Sequence, residues 1–336
     1  MLSGPLRGLG VEAALFGEGQ YLAGVELSRA TDVLRAAADL LIADDPRIIS
    51  VGIVQHPLGG FALRASRYLE NPAHRPELPA ISGVPVLYQY QHEQPEPLTR
   101  ANSRKKFTPQ PRGSSPLTSG HDIRNSQTTP RDFGTVSFFV SVNGDPSNRN
   151  LLITNNHVLR GQRRNFLAGE SVLHPSVNGA IVGTLDQCID VEAAVYNASP
   201  KDQIYNLVDI AAAVVHTSTP VANTVNFSST TASLRLGETV RILGTVNRNV
   251  TTKVLETGQV VRVKYDFGHC WFSDVIRLSP VTKPGDSGAA VVRESNNELV
   301  GIVFAGSDLE TLAFPITNLA PIWSKLTGNT WDGPPA

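Results

Sequence analysis

Pro284-Gly285-Asp286-Ser287-Gly288, running directly into the apolar stretch Ala289 to Val292, is the segment on which the reading of this chain turns. Its residues favour a tight turn, and the apolar run after it reads as a buried strand. Serine is a weak nucleophile at neutral pH because its hydroxyl stays protonated, so it needs an adjacent base and a separate stabiliser for the anion it creates. Ser287 is the candidate nucleophile. The glycines beside it open backbone conformations closed to residues bearing a β-carbon, and the amides of Gly285 and Ser287 can then converge as an oxyanion hole. Taken alone the same string is an ordinary turn, and its meaning depends on partners elsewhere.

Upstream, Leu151-Leu-Ile-Thr-Asn-Asn-His-Val-Leu159 carries an apolar strand into polar residues and delivers His157 at a strand-to-turn boundary, where a base can face a cleft. Asn206-Leu-Val-Asp-Ile-Ala-Ala-Ala-Val-Val215 places Asp209 at the head of a buried strand, a position from which a carboxylate can orient an imidazole and fix its tautomer. The order along the chain is His157, Asp209, Ser287. Asp190, in Cys188-Ile-Asp-Val-Glu192, is the rival acid, since it also borders an apolar segment. Asp286 reads as a structural carboxylate behind the turn. The histidines His121, His174, His216 and His269 read as surface or structural residues.

Outward from these motifs, residues after Phe133 form short β-prone runs separated by turns: Val136–Val142, Leu151–Thr154, Ala180–Val182, Ile210–Val215, Val240–Leu243, Gly258–Val263, Val275–Leu278, Ala289–Val292 and Leu299–Phe304. Without intervening helical periodicity, they predict a mainly β domain, a sandwich or barrel pair, over residues 133–330. Residues 93–132 break the pattern with Pro, Ser and basic residues, including Arg104-Lys105-Lys106, and read as a linker whose later part can lie along the main domain. Before it, residues 1–92 read as a small α/β module. Leu27, Ala30, Leu34, Ala37 and Leu41 mark one helical face, Ile48–Val54 and the alternating Phe61–Ser66 a hairpin about Pro57–Gly60, and Val84–Tyr90 a third strand.

The chain of 336 residues has a formal net charge of -1, which excludes a polyanion partner as the leading expectation. No apolar run approaches a membrane span, no signal peptide is evident, and the two cysteines, Cys188 and Cys270, read as buried thiols. The expectation is a cytoplasmic enzyme acting on a protein or peptide, with no nucleic acid, membrane, cofactor or metal; the oligomeric state stays open.

At the level of motifs the residues resemble the trypsin/chymotrypsin superfamily, which uses the same His, Asp, Ser order. Thr154-Asn-Asn-His157 and Pro284–Gly288 are similar to the histidine and serine motifs of bacterial members. The Asn-Asn-His-Val-Leu, Val-Asp-Ile-Ala and Pro-Gly-Asp-Ser-Gly boxes resemble those of bacterial relatives of the plant Narrow leaf trypsin-like peptidases, over about Pro116 to Leu326. Gly120-His121, Phe133-Gly134-Thr135 and Val300–Gly306 also look like segments of that group. The resemblance implies a chymotrypsin-like pair of six-stranded β-barrels with the triad between them, and peptide hydrolysis through an acyl-enzyme. It also implies a primary pocket with its floor at Val281 and Thr282 and its wall at Phe304, Ala305 and Gly306. An uncharged side chain is expected there, unless Asp308 or Glu310 reaches the pocket and selects Arg or Lys. No site for releasing an Ile-Val amino terminus to pair with Asp286 is evident, which leaves the N-terminal region as the expected regulator. A binding or scaffolding module with little turnover, and an effector or activator protease of a bacterial defence system, are the competing readings.

Overall fold

A computed structural model describes residues 38–43, 45–55, 61–68, 86–91, 94–98, 116–129, 132–141, 149–161, 167–194, 203–227 and 234–328. Most of the expected N-terminal helix and the Pro57–Gly60 turn lie outside them; residues 38–43 are helical. Strand is the dominant structure, in two large sheets that each curl into a barrel and a small third one that pairs Leu117–Thr118 with β14 (Val221–Ala222).

β1 (Ile48–Gln55), β2 (Phe61–Tyr68) and β3 (Val86–Gln91) come first, followed by the two-residue strands β4 (Glu96–Pro97) and β5 (Leu117–Thr118). The first barrel then uses β6 (Asp122–Asn125), β7 (Gly134–Thr135), β8 (Phe138–Ser141), β9 (Asn150–Thr154), β10 (Ser171–His174), β11 (Ala180–Cys188) and β13 (Ala211–Val215). Their order is β7-β6-β10-β11-β13-β9-β8. β7 and β8 are the two ends of one interrupted strand. Between them the Val136 amide donates to His121 on the β6 side, and the Ser137 amide donates to Ile153 on the β9 side, which closes a six-stranded ring. Leu152, Val172, Ala213 and Phe139 fill it.

The second barrel is β15 (Thr239–Leu243), β16 (Val250–Tyr265), β17 (Gly268–Leu278), β18 (Ala290–Arg293), β19 (Leu299–Ser307) and β20 (Glu310–Pro315). Its strands pair in the order β17-β20-β19-β18-β15-β16, and direct pairing of β16 with β17 completes the ring. Two six-stranded barrels are thus the architecture. β12 (Tyr205–Asn206) adds to β17 in parallel. Apolar residues of both barrels, from Phe138 and Ile153 to Phe272 and Phe304, meet in one core.

β16 is longer than expected, 16 residues, because it has two tasks. Its first half pairs with β15, and on its second half Val260 and Val261 pair with Val51 and Ser50 of β1. The strands read as a separate module therefore extend the second barrel's sheet through β1, β2 and β3, with β3 parallel to β2. Ala38, Leu41, Ile48 and Leu63 pack on Val260 and Trp271. A buried ionic group fastens this extension. Glu256 on β16 accepts from Arg64 Nε of β2 at 2.6 Å and from Arg277 Nη1 of β17 at 2.7 Å, while Arg277 Nε reaches Glu310 at 2.8 Å. Charges this deep survive only when paired and hydrogen-bonded. Residues 117–125, within the stretch read as linker, supply β5 and β6.

Candidate active site

His157 reaches its position because β9 ends at Thr154 and the chain turns at once into a four-residue helix, Asn156–Leu159. β13 pairs with β9 so that Ala211 lies opposite Thr154, which puts Asp209, two residues before it, beside the start of that helix. The Asn155 side-chain amide donates to the Asp209 carbonyl at 2.7 Å, and that of Asn156 donates to the Ile189 carbonyl at 2.8 Å. Asn155 thus locks the helix to the segment that carries the acid, and Asn156 locks it to the end of β11.

The serine turn is gripped from the first barrel. The Thr135 amide donates to the Ser287 carbonyl at 2.6 Å, and its hydroxyl donates to the Gly285 carbonyl at 2.8 Å. Gly288 has φ 88°, and a β-carbon there would lie 2.2 Å from the Thr135 carbonyl oxygen, so only glycine fits between turn and β7. Gly285, at φ 108°, would meet Val246 and Phe133. Asp286 is fully buried behind the turn; its carboxylate accepts from the amides of Val246 (2.8 Å), Asn247 (3.2 Å) and Lys283 (3.0 Å). Burial pushes its carboxyl up, against the pull of these donors. Three main-chain amides therefore satisfy the Asp286 carboxylate, for which the sequence offers no released amino terminus as partner.

The three groups meet between the barrels. His157 Nδ1 lies 2.5 Å from Asp209 Oδ2, and His157 Nε2 lies 2.8 Å from Ser287 Oγ. Asp209 Oδ1 also accepts from the His157 amide at 3.1 Å, so the acid holds both backbone and ring of the histidine. Burial, the largest single influence, pushes the Asp209 carboxyl up; His157, the Tyr265 hydroxyl and the His157 amide outweigh it and hold the carboxyl below its ordinary range. An ionised carboxylate only accepts, so Nδ1 carries the proton and Nε2 is left to accept from the Ser287 hydroxyl.

Tyr265, at the end of β16, is the residue that sequence reasoning missed. Its hydroxyl donates to Asp209 Oδ2 at 2.5 Å. Burial and the neighbouring carboxylate raise its own pKa well above the usual tyrosine value, so it stays a donor. Asp190 does not join the group: its carboxylate is two-thirds exposed and sits 2.5 Å from Arg160. A cleft of about 430 Å³ opens beside His157, lined in part by Arg160, Glu192, Tyr265 and Phe267.

The residues expected to line the primary pocket are placed unequally. Val281 borders an apolar cluster with Leu278, Val303 and Ala313, and the Thr282 hydroxyl shares a hydrogen bond with that of Thr311 at 2.8 Å. Ala305 and Gly306 lie on β19, and a β-carbon on Gly306 would come within 3.4 Å of Thr282 Oγ1. The Phe304 ring turns into the core against Phe272 (4.7 Å between centroids) and Phe314, leaving its carbonyl to accept from Ser287 Oγ at 3.3 Å. Glu310 is committed to Arg277, and Asp308 is exposed on the turn after β19. The described residues contain no group of histidine, cysteine and carboxylate side chains that could hold a metal.

Among solved structures the chain is similar to the Nocardiopsis protease NAPase, at 16% identity over 63% of this chain and 97% of that one, with a TM-score of 0.41. It is similar also to a glutamic acid specific serine protease described as using a histidine triad in substrate binding, at 17% identity, 62% and 98% coverage and a TM-score of 0.41. An M. tuberculosis protease in its active form shares 16% identity over 68% and 93%, with a TM-score of 0.40. No curated protein matches the chain. The sequence profile of the family described as a trypsin-like peptidase domain matches residues 134–302, just over half of the 336 residues and running from β7 into β19, and the chain belongs to that family.

Proposed function

We propose that this chain is a serine endopeptidase in which Ser287 is the nucleophile, His157 its general base and Asp209 the residue that orients and stabilises the imidazole. The observation that carries the reading is the unbroken hydrogen-bond chain from Asp209 Oδ2 through both ring nitrogens of His157 to Ser287 Oγ. In the acylation step Ser287 Oγ attacks the scissile carbonyl carbon while its proton passes to His157 Nε2. The carbonyl oxygen becomes an anion held by the amides of Gly285 and Ser287. Collapse then breaks the C–N bond as His157 returns the proton to the leaving nitrogen, and water, activated by the same histidine, hydrolyses the ester.

An uncharged primary residue fits the apolar surroundings of Val281 and the commitment of Glu310 to Arg277. The three boxes favour bacterial relatives of the Narrow leaf peptidases as the nearest branch, with residues 133–330 as the catalytic unit. The test is proteome-wide mapping of new amino termini generated by the wild type and by Ser287→Ala. New termini confined to the wild type, with an uncharged residue before the cut, support the reading; identical termini from both proteins overturn it.

A further inference from the structure

Residues 94–98, Gln-Pro-Glu-Pro-Leu, lie along β19 beside the serine turn. Pro97 pairs with Ala305 and Glu96 with Gly306, antiparallel. The Leu98 amide donates to the Phe304 carbonyl at 3.4 Å, the same oxygen that accepts from Ser287 Oγ. Its own carbonyl oxygen accepts from the Gly285 amide at 2.5 Å, one of the two donors assigned to the oxyanion hole. These two bonds bracket the Leu98 carbonyl against the serine turn.

The side chain follows the same logic. Leu98 is 7% exposed and belongs to the apolar cluster that Val281 borders; its Cδ1 lies 3.5 Å from where a β-carbon on Gly306 would stand. The pocket thus holds a leucine. Because the Leu98 amide faces β19, the residue before it turns its nitrogen away, which is where a proline costs no ladder bond. Pro97 and Pro95 both occupy such positions. On the far side the Lys264 amide donates to the Pro95 carbonyl at 3.0 Å, and Lys264 Nζ lies 3.1 Å from Glu96. A strap of five residues is held on both edges, with its last carbonyl on the Gly285 amide of the serine turn.

We propose that residues 94–98 are the enzyme's own substrate segment, and that Ser287 cuts the Leu98–Thr99 bond within the same chain. The inference rests on the serine-peptidase reading above. Ser287 Oγ adds to the Leu98 carbonyl carbon, the Leu98–Thr99 C–N bond breaks, and the proton taken by His157 leaves on the Thr99 nitrogen. Water then releases Leu98 as a carboxylate from the Ser287 ester. Tethering makes the attack intramolecular, so its rate is independent of protein concentration. Residues 1–98 stay attached after the cut, because β1 remains paired with β16 and Arg64 with Glu256.

Intact mass and amino-terminal sequencing of three full-length proteins test this: wild type, Ser287→Ala and Leu98→Asp. The wild type is expected as two co-eluting fragments, 1–98 and 99–336, the second beginning at Thr99, at a rate unchanged over a tenfold dilution. Ser287→Ala stays intact, also when mixed with wild type. Leu98→Asp, which sets a charge in the apolar pocket, stays uncut after residue 98 and frees the cleft for a fluorophosphonate probe. Labelling of Leu98→Asp with an intact wild type overturns the self-cleavage and leaves the peptidase reading standing, whereas an intact wild type with no labelling of Leu98→Asp overturns both. A cut after Leu98 in Ser287→Ala assigns it to another protease and also sinks the proposal.

Discussion

Tyr265 donates to the same Asp209 oxygen that faces His157 Nδ1, each contact being 2.5 Å. One carboxylate oxygen therefore serves both the His157 imidazole and a buried phenol, while the other accepts from the His157 main chain. In the proposed mechanism Tyr265 acts through Asp209 and is a positioning residue.

Removing that donor separates positioning from binding. Tyr265→Phe keeps the ring packed against Phe272 and Phe267. It withdraws one hydrogen bond to a charged group, worth roughly 1.5–3 kcal/mol. The expectation is a fall in kcat of about tenfold or more with KM unchanged, read from steady-state hydrolysis of a leucine-ending peptide ester. A change confined to KM would place Tyr265 in substrate binding instead.

The buried ionic group predicts a stability effect far from the chemistry. Glu256→Gln leaves Arg64 and Arg277 facing each other around a neutral amide, and breaking a buried pair in this way costs about 3–5 kcal/mol. Urea denaturation followed by tryptophan fluorescence reads the loss as a lower midpoint. A midpoint within error of wild type would show that the charges contribute nothing to holding β2 on the barrel.

Acid stability follows from Asp122, which faces His174 Nδ1 at 3.1 Å and accepts from Ser176. Burial raises its carboxyl and is the largest influence, but His174 and Ser176 outweigh it, so the folded pKa lies below the ordinary 3.8. A depressed carboxyl contributes stability that is present above 3.8 and lost as pH falls through the folded value. The melting temperature of Asp122→Asn should therefore lie below wild type at pH 7, and the gap should close as pH falls from 3.8 through the folded value. A gap that stays constant through acid would contradict the depressed carboxyl.

The thiols should be inert in the folded protein. Burial pushes both Cys188 and Cys270 up to about 12, with Asp209 adding to the rise at each. Iodoacetamide at pH 8 is expected to modify neither until denaturant is added. Rapid modification of the native protein would mean that one of them is exposed.

His157, Asp209 and Ser287 were legible because each sits in a short local string whose polar residues interrupt an apolar run. The barrels were legible from alternation and turns, although the length of β16 was not. Glu256 occupies a buried position in that strand, where only its pairing with Arg64 and Arg277 makes a carboxylate tolerable, and no local pattern marks such a pairing. Tyr265 was hidden for a related reason: it meets Asp209 only because the β16–β17 hairpin folds back over the core. That the Phe304 ring faces the core and its carbonyl the serine turn was not legible, since sequence cannot say which way a large ring turns. Residues 94–98 lacked any periodic signal because a strap that binds through its backbone needs none.

Fluorophosphonate labelling with peptide mapping, performed on Leu98→Asp and on Leu98→Asp/His157→Ala, asks whether Ser287 is the activated nucleophile. An adduct on the peptide that contains Ser287 is expected in Leu98→Asp, forming about a thousandfold more slowly once His157 is removed. An adduct on any other serine, or equal labelling of both proteins, overturns the triad.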